Sequence, residues 1–387
     1  MLHKFNPSKT KYLCQLNKIL GFFFHTPTAK TPLQLAKIKQ LLVVDFTGLG
    51  DIVMLTPFLR ILKKNCPLAQ ITVVCSAGGR EILSTQQLVD KFVILEGKYL
   101  ANPLKMFWNG LKIYRALKQI NQETYDISLE PRGDLRHIFF MHFCKAIRKA
   151  SYNYTGGECF LTDVVIPSEK TIHLVEDKIN FLKQLGFAIP AKDIYPQLVL
   201  TDRQQQYRQS FLRKHQLENT AIIGLHPGAS QLLRKWPHYP ELLKLLHQHI
   251  TQVTFFIFEG PGDMLQAEEI LNAADQCQAH TFRIKTSLKN MMSLMTCCDF
   301  VICNDSSSGH FAAALGIPTF VIFGASDPTM VKPYHPSCVY PINATLNCAS
   351  PCIKKPCSYP PECLSKITPQ TVYEMIQKQV NISVSVT

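Results

Sequence analysis

Apolar residues fall along this chain in short dense runs, and most of these runs stop at a cluster of glycine and small polar residues. Residues 41–46 (Leu-Leu-Val-Val-Asp-Phe), 71–75 and 125–130 read this way in the first half of the chain. Residues 221–226, 253–258, 300–303 and 319–323 repeat the pattern in the second. Runs this short, rich in Val, Ile and Phe with few polar positions, predict strands covered on both faces. Helical stretches separate them, so the order strand, helix, strand predicts parallel sheets of the doubly wound α/β kind. One helix is expected over residues 52–65, with Pro57 early enough to be tolerated. Periodicity weakens between Ser151 and Asp202, where Pro167, Pro190 and Pro196 interrupt it. The inter-domain region is expected there. The expected division is a basic extension over 1–39, a first domain over 40–202 and a second over 203–387. Two such domains in tandem predict ligand sites beyond the carboxyl ends of the strands, in a cleft between the domains.

Composition narrows the choice of ligand. The 387 residues contain 41 Lys plus Arg against 28 Asp plus Glu, a formal charge of +13. That surplus suits nucleic acid, an anionic membrane face or a phosphate-bearing substrate. No recognition-helix, zinc-finger or RNP pattern is present, so nucleic acid is not expected as a partner. Fourteen cysteines, several inside apolar runs and with no signal peptide ahead of them, point to a reducing cytoplasm. No apolar run approaches the roughly 18 residues of a membrane span. Residues 19–24 (Ile-Leu-Gly-Phe-Phe-Phe) lie beside Lys18. They read either as a loosely packed extension or as a surface that rests on a membrane.

The strand ends carry the chemistry. Gly48-Leu-Gly-Asp51 offers a tight turn at Gly48 and Gly50 and a carboxylate, Asp51, that either caps the next helix or serves as a general base. Glu130-Pro-Arg132-Gly-Asp134-Leu-Arg136 sets mixed charges in a turn able to read a polar or phosphorylated acceptor, with solvated ion pairs as the alternative. His226-Pro-Gly-Ala-Ser230, followed by Arg234-Lys235-Trp-Pro, places a hydroxyl and two cations before a helix that Pro237 is expected to begin. Such a loop suits a pyrophosphate. Asp263, in Phe258-Glu-Gly-Pro-Gly-Asp263, can accept from a ribose hydroxyl or a base, or simply complete a turn. Asn304-Asp305-Ser306-Ser307-Ser-Gly-His310 leads from a strand into an Ala-rich helix whose first N–H groups are free to bind an anion. Cys348, Cys352, Cys357 and Cys363 are dense enough for a structural zinc, but their spacing is not the usual paired one. Free thiols or disulfides are the alternatives.

Taken in order, these motifs, with Ala-Ala-Ala-Leu-Gly-Ile-Pro after His310, Phe323-Gly-Ala-Ser-Asp-Pro328 and the cysteine loop before Ile367, resemble the lipopolysaccharide heptosyltransferases, glycosyltransferase family nine. The resemblance spans roughly residues 40 to 378 and implies a GT-B architecture. It implies an inverting glycosyltransferase that needs no metal or other cofactor. The donor would be an ADP-heptose type nucleotide sugar, the acceptor a lipopolysaccharide core or lipid A glycolipid, and the location the cytoplasmic face of the inner membrane. Asp51 matches the base. Ser230, Arg234 and Lys235 fall on the donor phosphate motif, and Asp305, Ser306, Ser307 and His310 on the donor segment. Asp263 falls in the region that meets ribose or adenine, and Gly48, Gly50, Arg132, Asp134 and Arg136 fall on the acceptor side. Ser307 stands where the family usually has glycine, and Arg234 where lysine is common. The 130–136 segment differs from the Asp-x-Gln-Gly form of the core enzymes. A nucleotide-sugar epimerase or a non-catalytic binding protein of the same fold is the alternative function.

Overall fold

A computed structural model of the chain describes residues 15–344 and 362–380, apart from residues 16, 18, 20, 30, 101, 251 and 325. The chain divides into two compact units, Met1–Pro196 and Gln197–Thr387. The first is built on strands β1 (Gln40–Val44), β2 (Gln70–Cys75), β3 (Lys91–Ile94), β4 (Tyr125–Glu130), β5 (Ala146–Tyr152) and β6 (Asp163–Val165). They pair in parallel in the order β3-β2-β1-β4-β5-β6. The second is built on β7 (Ala221–His226), β8 (Val253–Phe258), β9 (His280–Ile284), β10 (Phe300–Asn304), β11 (Thr319–Phe323) and β12 (Val339–Asn343). Read from the other edge, its order is β9-β8-β7-β10-β11-β12, again parallel.

Both units therefore carry the doubly wound order in which the chain reverses direction across the sheet beside its first strand. Each has one topological switch point: β1 against β4, and β7 against β10. The strand sequences explain the layering. Every residue of β8 (Val-Thr-Phe-Phe-Ile-Phe) is buried, because helices cover both faces of a parallel sheet. Phe255 and Ile257 belong to one apolar cluster with Leu242, Leu246 and Ile270. In the first unit Leu42, Val44 and Val74 pack with Ile120, Ile138 and Phe140.

Two local expectations are corrected. The helix expected over 52–65 is two helices, Leu49–Val53 and Thr56–Asn65, with Pro57 in the first turn of the second. Proline has no N–H to continue the earlier helix, and its ring crowds the preceding turn. The helix expected to begin at Pro237 starts at Tyr239 instead. The described part of the N-terminal extension is tied down rather than loose. Thr26 and Ala29 N–H groups donate to the Cys159 and Thr162 carbonyls at 2.9 Å, and Gly157 N–H donates to Asn17 Oδ1 at 2.6 Å.

Of the four clustered cysteines, Cys348, Cys352 and Cys357 lie outside the described residues, while Cys363 is half-buried against the second core. Among the described residues no group of His, Cys, Asp and Glu side chains is placed to hold a metal ion. No described helix is long and apolar enough to cross a membrane.

The end of β1 is fixed by a buried ion pair. Asp45, just past β1, accepts from Lys178 Nζ at 3.0 Å, and Lys178 belongs to the helix Leu174–Gln184. Burial alone would raise the Asp45 pKa, but Lys178, His137 and Thr47 hold it well below the usual carboxylate range. Removing one partner of such a pair leaves an uncompensated buried charge. Lys178→Met is expected to lower unfolding stability by about 3–5 kcal/mol. Adding Asp45→Asn to it is expected to recover part of the loss, as urea unfolding would measure.

Candidate active site

Chemistry-bearing side chains gather at both switch points. In the first unit Gly48 begins the helix Leu49–Val53, and no side chain caps it. Asp51 sits in the first turn of that helix and makes no cap, so the capping reading of Asp51 is overturned. Its carboxylate oxygen Oδ2 lies instead 3.1 Å from Arg132 Nη1, on the loop after β4. The two loops meet because β1 and β4 are neighbours in the sheet. Arg132 is shaped by its surroundings: burial opposes its charge, yet Asp51, Asp45 and Asp134 hold its pKa above the ordinary guanidinium value.

The loop that presents Arg132 is braced from below. Glu130 is fully buried and accepts from Gly133 N–H at 2.7 Å and from the Ser151 hydroxyl at 2.7 Å. His137 Nδ1 stands 3.1 Å from its other oxygen, and a carboxylate only accepts, so Nδ1 carries the hydrogen. Gly133 turns the loop with φ of +73°, and a Cβ there would come within 2.7 Å of Tyr154. No side chain fits at that position. Asp134 caps the helix Leu135–His142 through Arg136 N–H and also accepts from Arg136 Nε at 2.9 Å. Burial pushes its pKa up, but the Arg136 contacts prevail and hold it well below the usual range.

These residues open onto a cavity of about 540 Å³ at the carboxyl end of the sheet. Thr47, Gly48, Asp51, Lys98, Arg132 and Arg136 are in its wall. Gly50 and Asp134 are not. The cavity wall thus joins the Asp51–Arg132 ion pair and the Glu96 carboxylate with a second guanidinium, Arg136, and the Lys98 ammonium, a combination suited to a phosphorylated polyol.

In the second unit Asn304 ends β10 and is fully buried. Its amide donates to the Pro227 carbonyl at 2.6 Å, while its oxygen accepts from Trp236 N–H at 3.2 Å and the Tyr239 hydroxyl at 3.3 Å. One side chain therefore locks the β7 loop to the β10 loop. Beyond it Ser306 precedes the helix Ser307–Ala314, whose first N–H groups have no side-chain cap. The Ser306 and Ser308 hydroxyls bond to each other at 2.7 Å. Gly309 packs that helix close on the sheet, since a Cβ would lie 3.1 Å from Cys303 Sγ. Arg234 Nε lies 3.3 Å from Asp305 Oδ2, yet both atoms are shut from solvent without a hydrogen bond. It is an ion pair in poor alignment.

Lys235 and Asp263 are brought together. Lys235 Nζ stands 3.3 Å from Asp263 Oδ1 and 3.0 Å from Gln266 Oε1. The Asp263 carboxylate fills the space beside Gly228, where a Cβ would lie 1.9 Å from Oδ2. Ser230 is exposed on the β7 loop and His310 is buried in the helix Ser307–Ala314. Sequence reasoning passed over Asp45, Lys178 and His137. Asp45 had a signal, a lone charge inside an apolar strand run, but Lys178 and His137 lie on helices where nothing nearby in sequence marks them.

The profile of glycosyltransferase family 9 (heptosyltransferase) matches residues 113–362. The chain belongs to this family. It is a glycosyltransferase, with two Rossmann-like units of the GT-B architecture. Among named relatives, lipopolysaccharide heptosyltransferase 2 of Escherichia coli K12 is 25% identical over 311 residues, covering 76% of this chain and 85% of the relative. Among solved structures, a family 9 glycosyl transferase from Veillonella parvula superposes with a TM-score of 0.71 at 21% identity, covering 90% of this chain and 98% of its own. The E. coli ADP-heptose lps heptosyltransferase II superposes with a TM-score of 0.69 at 21% identity, covering 88% and 98%.

Two outcomes test the site's framework. Asn304→Ala strips partners from the buried Trp236 N–H and Pro227 carbonyl, while the Tyr239 hydroxyl keeps the His226 carbonyl at 3.3 Å; each orphaned group costs about 1–3 kcal/mol. A lowered melting temperature and a freed β7 loop in hydrogen exchange are the expected result. His226 is buried, and burial lowers its pKa despite the nearby Asp263. A group whose protonation is disfavoured in the folded state contributes stability that is complete above its unfolded pKa and declines as pH falls below it. Unfolding free energy is therefore expected to fall as pH drops below 6.5, the ordinary imidazole value. In His226→Gln the slope of denaturant midpoint against pH is expected to be shallower.

Proposed function

We propose that this glycosyltransferase moves a heptose or related sugar, with inversion, from an ADP-sugar to a lipopolysaccharide core acceptor. The observation that carries the reading is the Asp51–Arg132 pair in the wall of the first unit's cavity, in a chain of the heptosyltransferase family. Arg132 engages Oδ2 of Asp51 and so fixes the carboxylate's direction, which leaves Oδ1 as the atom to take a proton. The acceptor hydroxyl gives its proton to Asp51 as its oxygen bonds to the anomeric carbon. The bond from that carbon to the diphosphate breaks on the opposite side, and the electron pair leaves with the nucleotide. Arg136 and Lys98 in the same wall suit a phosphorylated sugar acceptor.

The second unit supplies what the departing diphosphate needs. Free N–H groups at the start of the helix Ser307–Ala314, with partial positive charge from its dipole, match a doubly charged leaving group. The loose Arg234–Asp305 contact supports a role for Arg234 on phosphate, because two oxygens of a diphosphate offer a bidentate partner that Asp305 does not provide here. Lys235, held by Asp263 and Gln266, then serves to shape the loop, and Asp263 with it. ADP as the nucleotide rests on the name of the E. coli relative. The basic surplus of the chain also suits work at an anionic membrane face.

Asp51→Asn keeps the shape and removes the proton acceptor. Transfer from ADP-heptose to a heptose-bearing core acceptor is expected to fall by about 10²–10⁴-fold. ADP should still raise the melting temperature of the variant, since its binding groups are untouched. Wild-type turnover in Asp51→Asn would remove the base assignment, and a thermal shift with another nucleoside diphosphate but not ADP would remove the donor.

A further inference from the structure

The helix pair between β3 and β4 carries an apolar face that no described core accounts for. Pro103–Trp108 and Gly110–Ile120 are joined at Asn109, which ends one helix and begins the other. The inner face of the second helix is ordinary: Ile113, Ala116, Leu117 and Ile120, spaced i, i+3, i+4 and i+7, pack into the first unit's core. The outer side is not ordinary. Leu104 is 66% exposed, Phe107 79%, Trp108 76%, Leu111 62% and Tyr114 60%. Single exposed apolar residues need no explanation, but five large ones on one short hairpin form a patch of the kind that marks an interaction surface.

Charge identifies the occupant. Lys98, Lys105, Lys112, Arg115 and Lys118 fall between residues 97 and 122, and that stretch contains no Asp or Glu. A second copy of this chain would present the same cations to the same cations, on top of a formal charge of +13. Repulsion opposes that pairing. An anionic bilayer matches on both counts: its headgroups attract the lysines, and its interface accepts Trp, Phe and Leu to a depth of about 5–10 Å. Position supports the same occupant. The hairpin follows directly on the short helical turn Gly97–Leu100, and Gly97, Lys98 and Leu100 line the cavity that holds Asp51. Lys112 Nζ sits 4.7 Å above the Tyr99 ring, which clasps the second helix to that turn.

We infer that the hairpin 103–120 is a membrane-seating surface, which lowers its aromatic face into an anionic lipid interface and so brings the cavity to acceptors anchored in that interface. The part about the acceptor rests on the function proposed above; the seating itself does not.

The chain contains a built-in reporter. It has two tryptophans; Trp236 is buried in the second unit's core, so Trp108 alone is exposed to report on lipid. Full-length protein is mixed with large vesicles of phosphatidylcholine, with or without phosphatidylglycerol. Expected with phosphatidylglycerol are a blue shift of emission, protection from acrylamide and co-sedimentation, and none of these with phosphatidylcholine alone. Phe107→Ser with Trp108→Ser is expected to weaken co-sedimentation at least about tenfold. Lys105→Gln with Arg115→Gln and Lys118→Gln is expected to weaken it by about 10²-fold. Both variants should keep the wild-type melting temperature and the wild-type rate on a short water-soluble acceptor. No vesicle binding, or binding that both variants retain because another surface such as Phe22 and Phe23 makes it, overturns the proposal. So does a blue shift that follows protein concentration without lipid, which would assign the face to a second copy. Should transfer fail with every acceptor while vesicle binding behaves as expected, the proposed function falls and the seating surface stands.

Discussion

A parallel sheet that winds in both directions from its first strand must open a crevice where the winding reverses. Neighbouring connections there run to opposite faces of the sheet, so the loops after the two central strands separate instead of packing together. Both units of this chain obey that constraint with the same strand order. Most of the reactive groups lie on the four segments that leave the reversal points, after β1 and β4 in the first unit and after β7 and β10 in the second; Lys98 and Asp263 follow the neighbouring strands β3 and β8. The position of Asp51 beside Arg132, and of Asp305 beside Arg234, follows from strand adjacency. Neither pair is close in sequence.

Holding those loops open requires polar groups in places where polar groups are costly. Asp45, Glu130 and Asn304 are each fully buried at or just past a central strand end, and each is compensated. Asp45 has Lys178 and Thr47, Glu130 has Gly133, Ser151 and His137, and Asn304 has Pro227, Trp236 and Tyr239. Apolar replacements could pack as densely, but they could not fix the direction in which a loop leaves the sheet. The glycines serve the same end. Gly133 allows a turn closed to other residues, and Gly228 leaves room for the Asp263 carboxylate that holds Lys235.

The two crevices differ in how their charges are satisfied. In the first unit Arg132 is held by the charges of Asp51, Asp45 and Asp134, with Arg136 and Lys98 in the same cavity wall. In the second, the helix start is uncapped and the Arg234–Asp305 pair is misaligned. Arg234 Nε, Asp305 Oδ2 and the first N–H groups of the helix are thus left without partners of good geometry.

Much of this was legible in the sequence. Dense apolar runs such as Val253–Phe258 determined parallel strands, because a sheet covered on both faces buries nearly every position. The small residues and charges at the run ends marked where ligands would meet the chain, and the order of those motifs marked the family. Local sequence could not decide which charges pair. Asp51 read as a cap or a base because a carboxylate near a helix start suits either; only the adjacency of β1 and β4, which brings Arg132 to it, removed the cap. Lys235 read as a cation for phosphate, and nothing near it in sequence marked Asp263 as the carboxylate the fold sets against it. Lys178 and His137 carried no local mark at all, since their partners lie 133 and seven residues away. The exposed face of the 103–120 hairpin was equally hidden: its aromatics look like core in a one-dimensional pattern, and only packing of the opposite face shows that they point outward.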